Sequence, residues 1–265
     1  MMLIKRKKLF VNLMVAVVLA GFVWYQNSCQ RATYPLEQLQ LPQLKANLSS
    51  QEIQHEGYTV SYNAQWLLPN WVAYELTAQE VEGELPRTDR FYPDPLVVGK
   101  QATNNDYRKS GYDRGHMAPA ADMKWSETAM RESFYFTNIC PQLHNLNAGV
   151  WQDFEDRGRK WAKQYGSVYI VCGPIVNKKA LGTIGENQVV VPDGFYKVFL
   201  INDNGRYEGL GLLFDHVSGR KKLKNYACTI DSVEQVTGID FFYRLPNDVE
   251  ARVEAEVNYS VWGLK

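Results

Sequence analysis

The sequence predicts an α+β domain with a largely antiparallel central sheet and flanking helices. Three observations carry this. Short runs of aromatic and β-branched residues alternate with turns through the carboxyl half. Asp203-Asn204-Gly205, between two such runs, is a hairpin turn, because Asn and Gly accept the positive φ of a tight β-turn. Ala148 to Tyr165 has a helical pattern, with Gly166 to stop it.

In chain order, KRKK at 5–8 precedes the uncharged apolar run LFVNLMVAVVLAGFVWY at 9–25. That length is at the lower edge of a bilayer span and long for a signal-peptide core. Basic residues ahead of the run keep the amino end inside and export the rest. Residues 1–25 are thus expected to be a signal anchor that holds the chain to the membrane on its periplasmic or extracellular side. A cleaved signal or a lipidated Cys29 are the alternatives. Residues 26–52, rich in Gln, Leu and Pro without a period, read as a spacer. Residues 53–265 form the domain.

The domain opens with strands at 58–62 (YTVSY) and 71–76 (WVAYEL), then a loop at 87–95 (RTDRFYPDP). SFYFTNI at 133–139 reads as a strand ended by Pro141, and the helix at 148–165 follows. SVYIVCG (167–173), QVVVP (188–192), YKVFLIN (196–202) and YEGLGLLF (207–214) read as strands. IDSVEQVTG at 230–238 reads as a short helix capped by Asp231 and ended by Gly238.

At 265 residues, 45% of them hydrophobic, the chain can bury one sizeable core. Net charge is zero, but five of the 29 bases and none of the 29 acids lie in residues 1–31. The remainder therefore holds 24 bases against 29 acids. Bulk charge gives a polyanion no attraction, so nucleic-acid binding needs a local basic patch and a metal. Cys140, Cys172 and Cys228 allow at most one bridge within the domain, and free buried thiols are equally consistent.

Chemistry concentrates in two segments. In Asp113-Arg114-Gly115-His116 a histidine sits among turn-forming residues, where the sequence places it on an exposed turn. In the second segment Asn147 stands immediately before the helix, and Trp151, Glu155 and Arg159 follow at steps of four. Each step turns about 400°, so the side chains trace a slowly drifting stripe on one helix face. Taken alone, these residues also fit a cap, a core tryptophan and an ordinary i,i+4 ion pair.

Together, YDRGHMAP at 112–119, Thr137-Asn138 with Pro141-Gln142, and the Asn147, Trp151, Glu155, Arg159 series resemble the DNA/RNA non-specific endonuclease family. These are ββα-metal nucleases. RTDRFYPDP and WVAYELT resemble the family's upstream elements, so the likeness runs from about Trp71 to Arg159.

The resemblance implies a ββα-metal motif built from the strand at 133–139 and the following helix. It makes His116 the general base and Asn147 the direct ligand of Mg²⁺, with Mn²⁺ or Ca²⁺ as substitutes. Glu155 would reach the ion through water. Arg87, Arg114 and Arg159 would grip phosphate, and Asn138 would position neighbouring groups. Asp113 would brace its turn. DNA and RNA would be hydrolysed with little sequence specificity, leaving 5′-phosphate ends.

Two departures bear on that picture. Cys140 and His144 sit inside the metal loop and open a transition-metal option. Arg90 could exchange roles with Arg87. A phosphodiesterase for small nucleotides, or an inactive envelope binding domain, are the competing functions. Oligomeric state is left open, a homodimer included.

Overall fold

The structure is a computed structural model that describes residues 38–44, 48–177 and 181–264. The expected anchor at 9–25 lies outside the described residues. The strands begin with β1 (Gln43–Leu44), β2 (Gln51–Gln54), β3 (Thr59–Asn63) and β4 (Leu68–Thr77). They continue with β5 (Asp113–His116), β6 (Ile139–Gln142), β7 (Ser167–Ile175), β8 (Thr183–Ile184) and β9 (Val189–Val190). β10 (Gly194–Asp203), β11 (Arg206–Asp215), β12 (Ala227–Cys228) and β13 (Ile239–Asp240) complete them. The α-helices are α1 (Asn104–Tyr107), α2 (Glu127–Glu132), α3 (Gln152–Tyr165), α4 (Ile230–Thr237) and α5 (Asn247–Ala255).

Seven strands form the central sheet in the order β12-β11-β10-β7-β4-β3-β2. Every pairing in it is antiparallel, as the sequence predicts. The hairpin between β10 and β11 closes on Asn204 and Gly205 at φ 53° and 93°. Both faces are covered, which is why the strands read as nearly continuous apolar runs. On β10, Phe195, Phe199 and Ile201 join one core together with Trp151, Phe154 and Trp161. Tyr196, Val198 and Leu200 join the other, together with Ile230, Val233 and Val253 from α4 and α5.

Three local expectations change. Part of the expected spacer packs into the domain: Leu39 and Leu41 are buried in the second core, β1 pairs with β13, and β2 is an edge strand. The Leu-rich composition of that stretch covers apolar sheet surface. The segment at 133–139 is no strand but a turn and a 3-10 turn at Phe136–Asn138, and β6 starts only at Ile139. Pro141 lies within β6 instead of ending it, because β6 pairs with β5 alone and the missing N–H breaks no ladder on its open side. Finally, Thr229, not Asp231, caps α4 by accepting the Ser232 amide at 3.2 Å. Gly238 ends that helix at φ 69°, as expected.

Candidate active site

The DRGH segment is β5, paired in register with β6: Asp113 faces Gln142, Gly115 faces Cys140, and His116 faces Ile139. Glycine is required at 115 by close approach. A Cβ there would lie 2.1 Å from Gln142 Oε1 and 2.8 Å from Gln142 Cβ. The Gly of one motif and the Gln of the other are therefore one packing unit.

His116 is not on an exposed turn. It is 7% exposed, with its ring edge-on to Phe134 at 4.8 Å and tilted against Phe91 at 5.5 Å. Burial, then the nearby Arg87 charge, lower its pKa to about 3, so the imidazole is neutral. Its Nε2 is buried without a hydrogen-bond partner.

Asn147 also sits differently from expectation. It lies inside a π-turn, Leu146–Trp151, that leads into α3, with a break in helical geometry at Gly149. Such widened turns often mark functional sites because they re-aim side chains out of the helical ladder. The Asn147 carboxamide donates from Nδ2 to Asp113 Oδ2 at 2.9 Å. That leaves its oxygen as the atom available to a hard cation. Asp113, expected only to brace its own turn, instead orients Asn147 across the site and also bonds His144 Nδ1 at 2.9 Å.

Glu155 follows in the first turn of α3. Burial raises its pKa to about 7, against the lowering effect of Lys197 and together with a further rise from Asp122. A carboxylate so costly to ionise suits a place beside a cation. Arg159, one turn on, bonds Asp122 at 2.5 Å and also pairs with Asp156. Tyr74 donates to the other Asp122 oxygen at 2.8 Å. Arg159 is thereby held in one orientation from below.

These side chains share one cleft of about 210 Å³, lined by Arg87, Arg114, His116, Asn147, Glu155 and Arg159 among others. The guanidinium of Arg114 lies over the rings of Phe91, at 5.1 Å, and Tyr107, at 5.8 Å, and its Nε is buried without a partner. Arg87 lies 5.2 Å from the Phe134 ring centroid and 3.3 Å from Asp89. Arg90 lines a separate cleft with Arg131, so it does not stand in for Arg87. Asn138 is not in this cleft: fully buried, it bonds Ala118 N and O and Ser133 O, each at 2.8 Å. It pins the loop that leaves His116.

Cys140 and His144 do not form a transition-metal pair. Cys140 is fully buried in the core while the His144 side chain is 75% exposed and bonded to Asp113. Cys140, Cys172 and Cys228 are all free thiols.

Two supporting residues escaped the sequence reading. Lys197, 1% exposed on β10, places Nζ 3.7 Å from the Trp151 ring centroid and supplies positive charge near Glu155. Strand alternation held the signal, since Lys197 falls between Phe195 and Phe199 on one sheet face. His216 accepts the Leu143 amide at Nε2, 2.9 Å, and bonds Pro192 O at 2.7 Å, which holds the loop before Asn147. No pattern around His216 marked it.

A family model for DNA/RNA non-specific endonucleases matches residues 37–248. "Nuclease EXOG, mitochondrial" of Xenopus laevis is 34% identical over 235 residues, covering 81% of this chain and 63% of the frog protein. "Endonuclease G, mitochondrial" of Homo sapiens is 32% identical over 200 residues, covering 70% of this chain and 67% of the human one. The chain thus spans less than two thirds of the frog relative's length. A solved EndoG/EndoGI complex contains a chain with a TM-score of 0.69 and 29% identity, covering 74% of this chain and 86% of that one.

These relatives correct one expectation. They are named mitochondrial nucleases, which overturns the exported, envelope-anchored location read from the amino terminus. Among the described residues, no helix is long and apolar enough to cross a membrane. With the family match spanning most of the chain, this protein belongs to the DNA/RNA non-specific endonuclease family.

Proposed function

We propose that this chain is a metal-dependent endonuclease that hydrolyses DNA and RNA phosphodiesters with little sequence preference and leaves 5′-phosphate ends. One observation carries the reading most strongly. A cleft holding three arginines, a histidine, an asparagine and a glutamate leaves His116 Nε2 and Arg114 Nε buried without protein partners. Buried polar atoms are normally satisfied, so these two await a polar ligand.

His116 is the proton acceptor. Its neutral Nε2 takes a proton from the attacking water, which adds to phosphorus as the 3′ oxygen departs. An imidazole with a pKa of about 3 is a weak base; burial is the larger cause and the Arg87 charge the second. A bound phosphodiester anion offsets the Arg87 charge and so relieves that second part of the shift. Arg87, Arg114 and Arg159 bind the non-bridging oxygens and favour the extra negative charge of the transition state. The Asp122 and Asp156 contacts hold Arg159 in place before substrate arrives.

The donor set fits a hard cation, with Asn147 oxygen as direct ligand and Glu155 acting through water. Magnesium, with manganese or calcium as substitutes, supplies positive charge beside the leaving oxygen when bound. Contacts of this kind read phosphate rather than base edges, so weak sequence preference follows.

The test is to incubate the protein with supercoiled plasmid, RNA and a small chromogenic diester, with magnesium or with chelator. Cleavage of both polymers in magnesium alone is expected. Hydrolysis of only the small diester, or no hydrolysis of any substrate, would overturn the proposal.

A further inference from the structure

We propose that the loop after β11, from His216 to Lys224, is a phosphate-gripping arm that holds a polynucleotide where it leaves the catalytic cleft on the Asn147 side. This arm presupposes the nuclease reading of that cleft and extends it. The substrate is a chain several nucleotides long, held at more than the phosphate being cut.

The segment at 216–225 carries Arg220, Lys221, Lys222 and Lys224 and no acid. After KRKK at 5–8, no other five-residue window holds as many bases. All four side chains are exposed. The chain beyond residue 31 has more acids than bases, so a polyanion needs a concentrated positive patch to approach it. This loop supplies one outside the cleft.

Two contacts put the loop at the cleft's edge. His216, buried at its root, accepts the Leu143 amide at Nε2, 2.9 Å, and Leu143 O in turn accepts the Asn147 amide at 2.9 Å. Arg220 pairs at 2.6 Å with Asp153, the neighbour of the cleft-lining Gln152. The backbone beneath the cations is also fixed at both ends. The His216 ring packs edge-on to Phe195 at 5.2 Å and against Tyr112 at 5.6 Å. Tyr226 stacks on Phe214 at 5.3 Å, and its hydroxyl accepts the Lys221 amide at 2.9 Å. A backbone already in place loses little freedom when a ligand binds.

The four cations are not equally free. Arg220 has Asp153 as partner, and Lys221 has Asp215 at 3.0 Å. Exposed pairs of this kind hold weakly and yield to a phosphate. Among the described residues, Lys222 and Lys224 make no ion pair, although Lys224 Nζ lies 5.2 Å from the Tyr259 ring centroid. These two carry the uncompensated charge. Lysine is a compact point charge that makes no demand on base identity, which suits a backbone gripped along its length. Continuity with the cleft favours a polynucleotide over an anionic membrane as the partner.

The test measures binding and cleavage on the full chain. Binding is followed by fluorescence anisotropy of a short labelled DNA duplex in chelator, as potassium chloride is raised. Each phosphate contact adds about 0.9 to the slope of log Kd against log salt. Lys222→Ala/Lys224→Ala should therefore bind on the order of tenfold more weakly at about 0.1 M salt, with a slope shallower by about 1.8. Lys222→Arg/Lys224→Arg keeps the charge and should match wild type. In magnesium, the ratio of kcat/KM on the duplex to that on a dinucleotide should fall by about the same factor in the alanine variant. Equal slopes for wild type and the alanine variant would overturn the arm. So would unchanged duplex binding with weaker co-sedimentation on vesicles of phosphatidylcholine and cardiolipin, which would assign the loop to a membrane. A wild type that binds the duplex with the expected slope difference yet cuts nothing in magnesium would overturn the nuclease reading and leave the arm standing.

Discussion

The indole Nε1 of Trp151 donates to the backbone carbonyl of His116 at 3.1 Å. This single bond joins the π-turn that carries Asn147 and leads into α3, where Glu155 lies, to the end of β5, which presents the imidazole. Trp151 is fully buried, edge-on to Phe195 and Phe214 and beneath the Lys197 ammonium. It fixes how far apart the two halves of the site stand.

Trp151→Phe should therefore keep much of the packing but lose the bond. It leaves a buried carbonyl unsatisfied and should lower stability by about 1–3 kcal/mol. Cleavage should fall further than that loss of folded protein explains. Urea unfolding and plasmid nicking on one preparation check both, and unchanged nicking would argue that the bond does not set the site's geometry.

His116→Asn should abolish cleavage and also change acid stability. The folded-state pKa of His116, about 3, lies below its unfolded value. Above pH ~6.5 both states are neutral at this position. Below it the unfolded chain takes up a proton that the folded chain refuses, so stability falls as pH drops from 6.5 toward 3. The slope is at most about 1.4 kcal/mol per pH unit. Between pH 7.5 and 4.5 wild type should lose roughly 2–3 kcal/mol more than the variant, read by urea unfolding at each pH.

Asp113→Ala should loosen Asn147 without removing any group from the cleft itself. Supporting partners of this kind are worth roughly 10–100-fold in metal affinity. The half-saturating magnesium concentration for cleavage should rise by about that factor. Asp113→Asn, which retains an acceptor for Asn147 Nδ2, should stay closer to wild type. Equal behaviour of the two variants would remove Asp113 from the orienting role.

Gly115→Ala should destabilise by about 1–3 kcal/mol through overpacking against Gln142. Combining it with Gln142→Ala removes the two clashing atoms Oε1 and Cδ but leaves Cβ at 2.8 Å. Partial rescue is expected, and a double-mutant cycle measures it. Strict additivity of the two changes would show that the residues do not touch.

The strand runs of the carboxyl half, the Asn204-Gly205 hairpin and the stop of α3 at Gly166 were all legible locally. Each depends on alternation or on a residue that accepts positive φ. Four residues that line the cleft, His116, Asn147, Glu155 and Arg159, were legible as candidates as well, because they stand at recognisable spacings. Their surroundings were not. The turn at 136–138 replaces an expected strand because Asn138 bonds back to Ala118 and Ser133, and those partners are distant in sequence or carry no local pattern.

Which side chains are present, and in what order, was settled by the chain itself, as was the antiparallel arrangement of its strands. The burial of His116, the partial burial of Glu155, the turning of Asn147 by Asp113 and the placement of Lys197 over Trp151 belong to the tertiary structure alone. The physical reason is that desolvation and charge–charge effects depend on what surrounds a group in space. Most of those neighbours come from residues 18 to 46 positions away, beyond the reach of any local period.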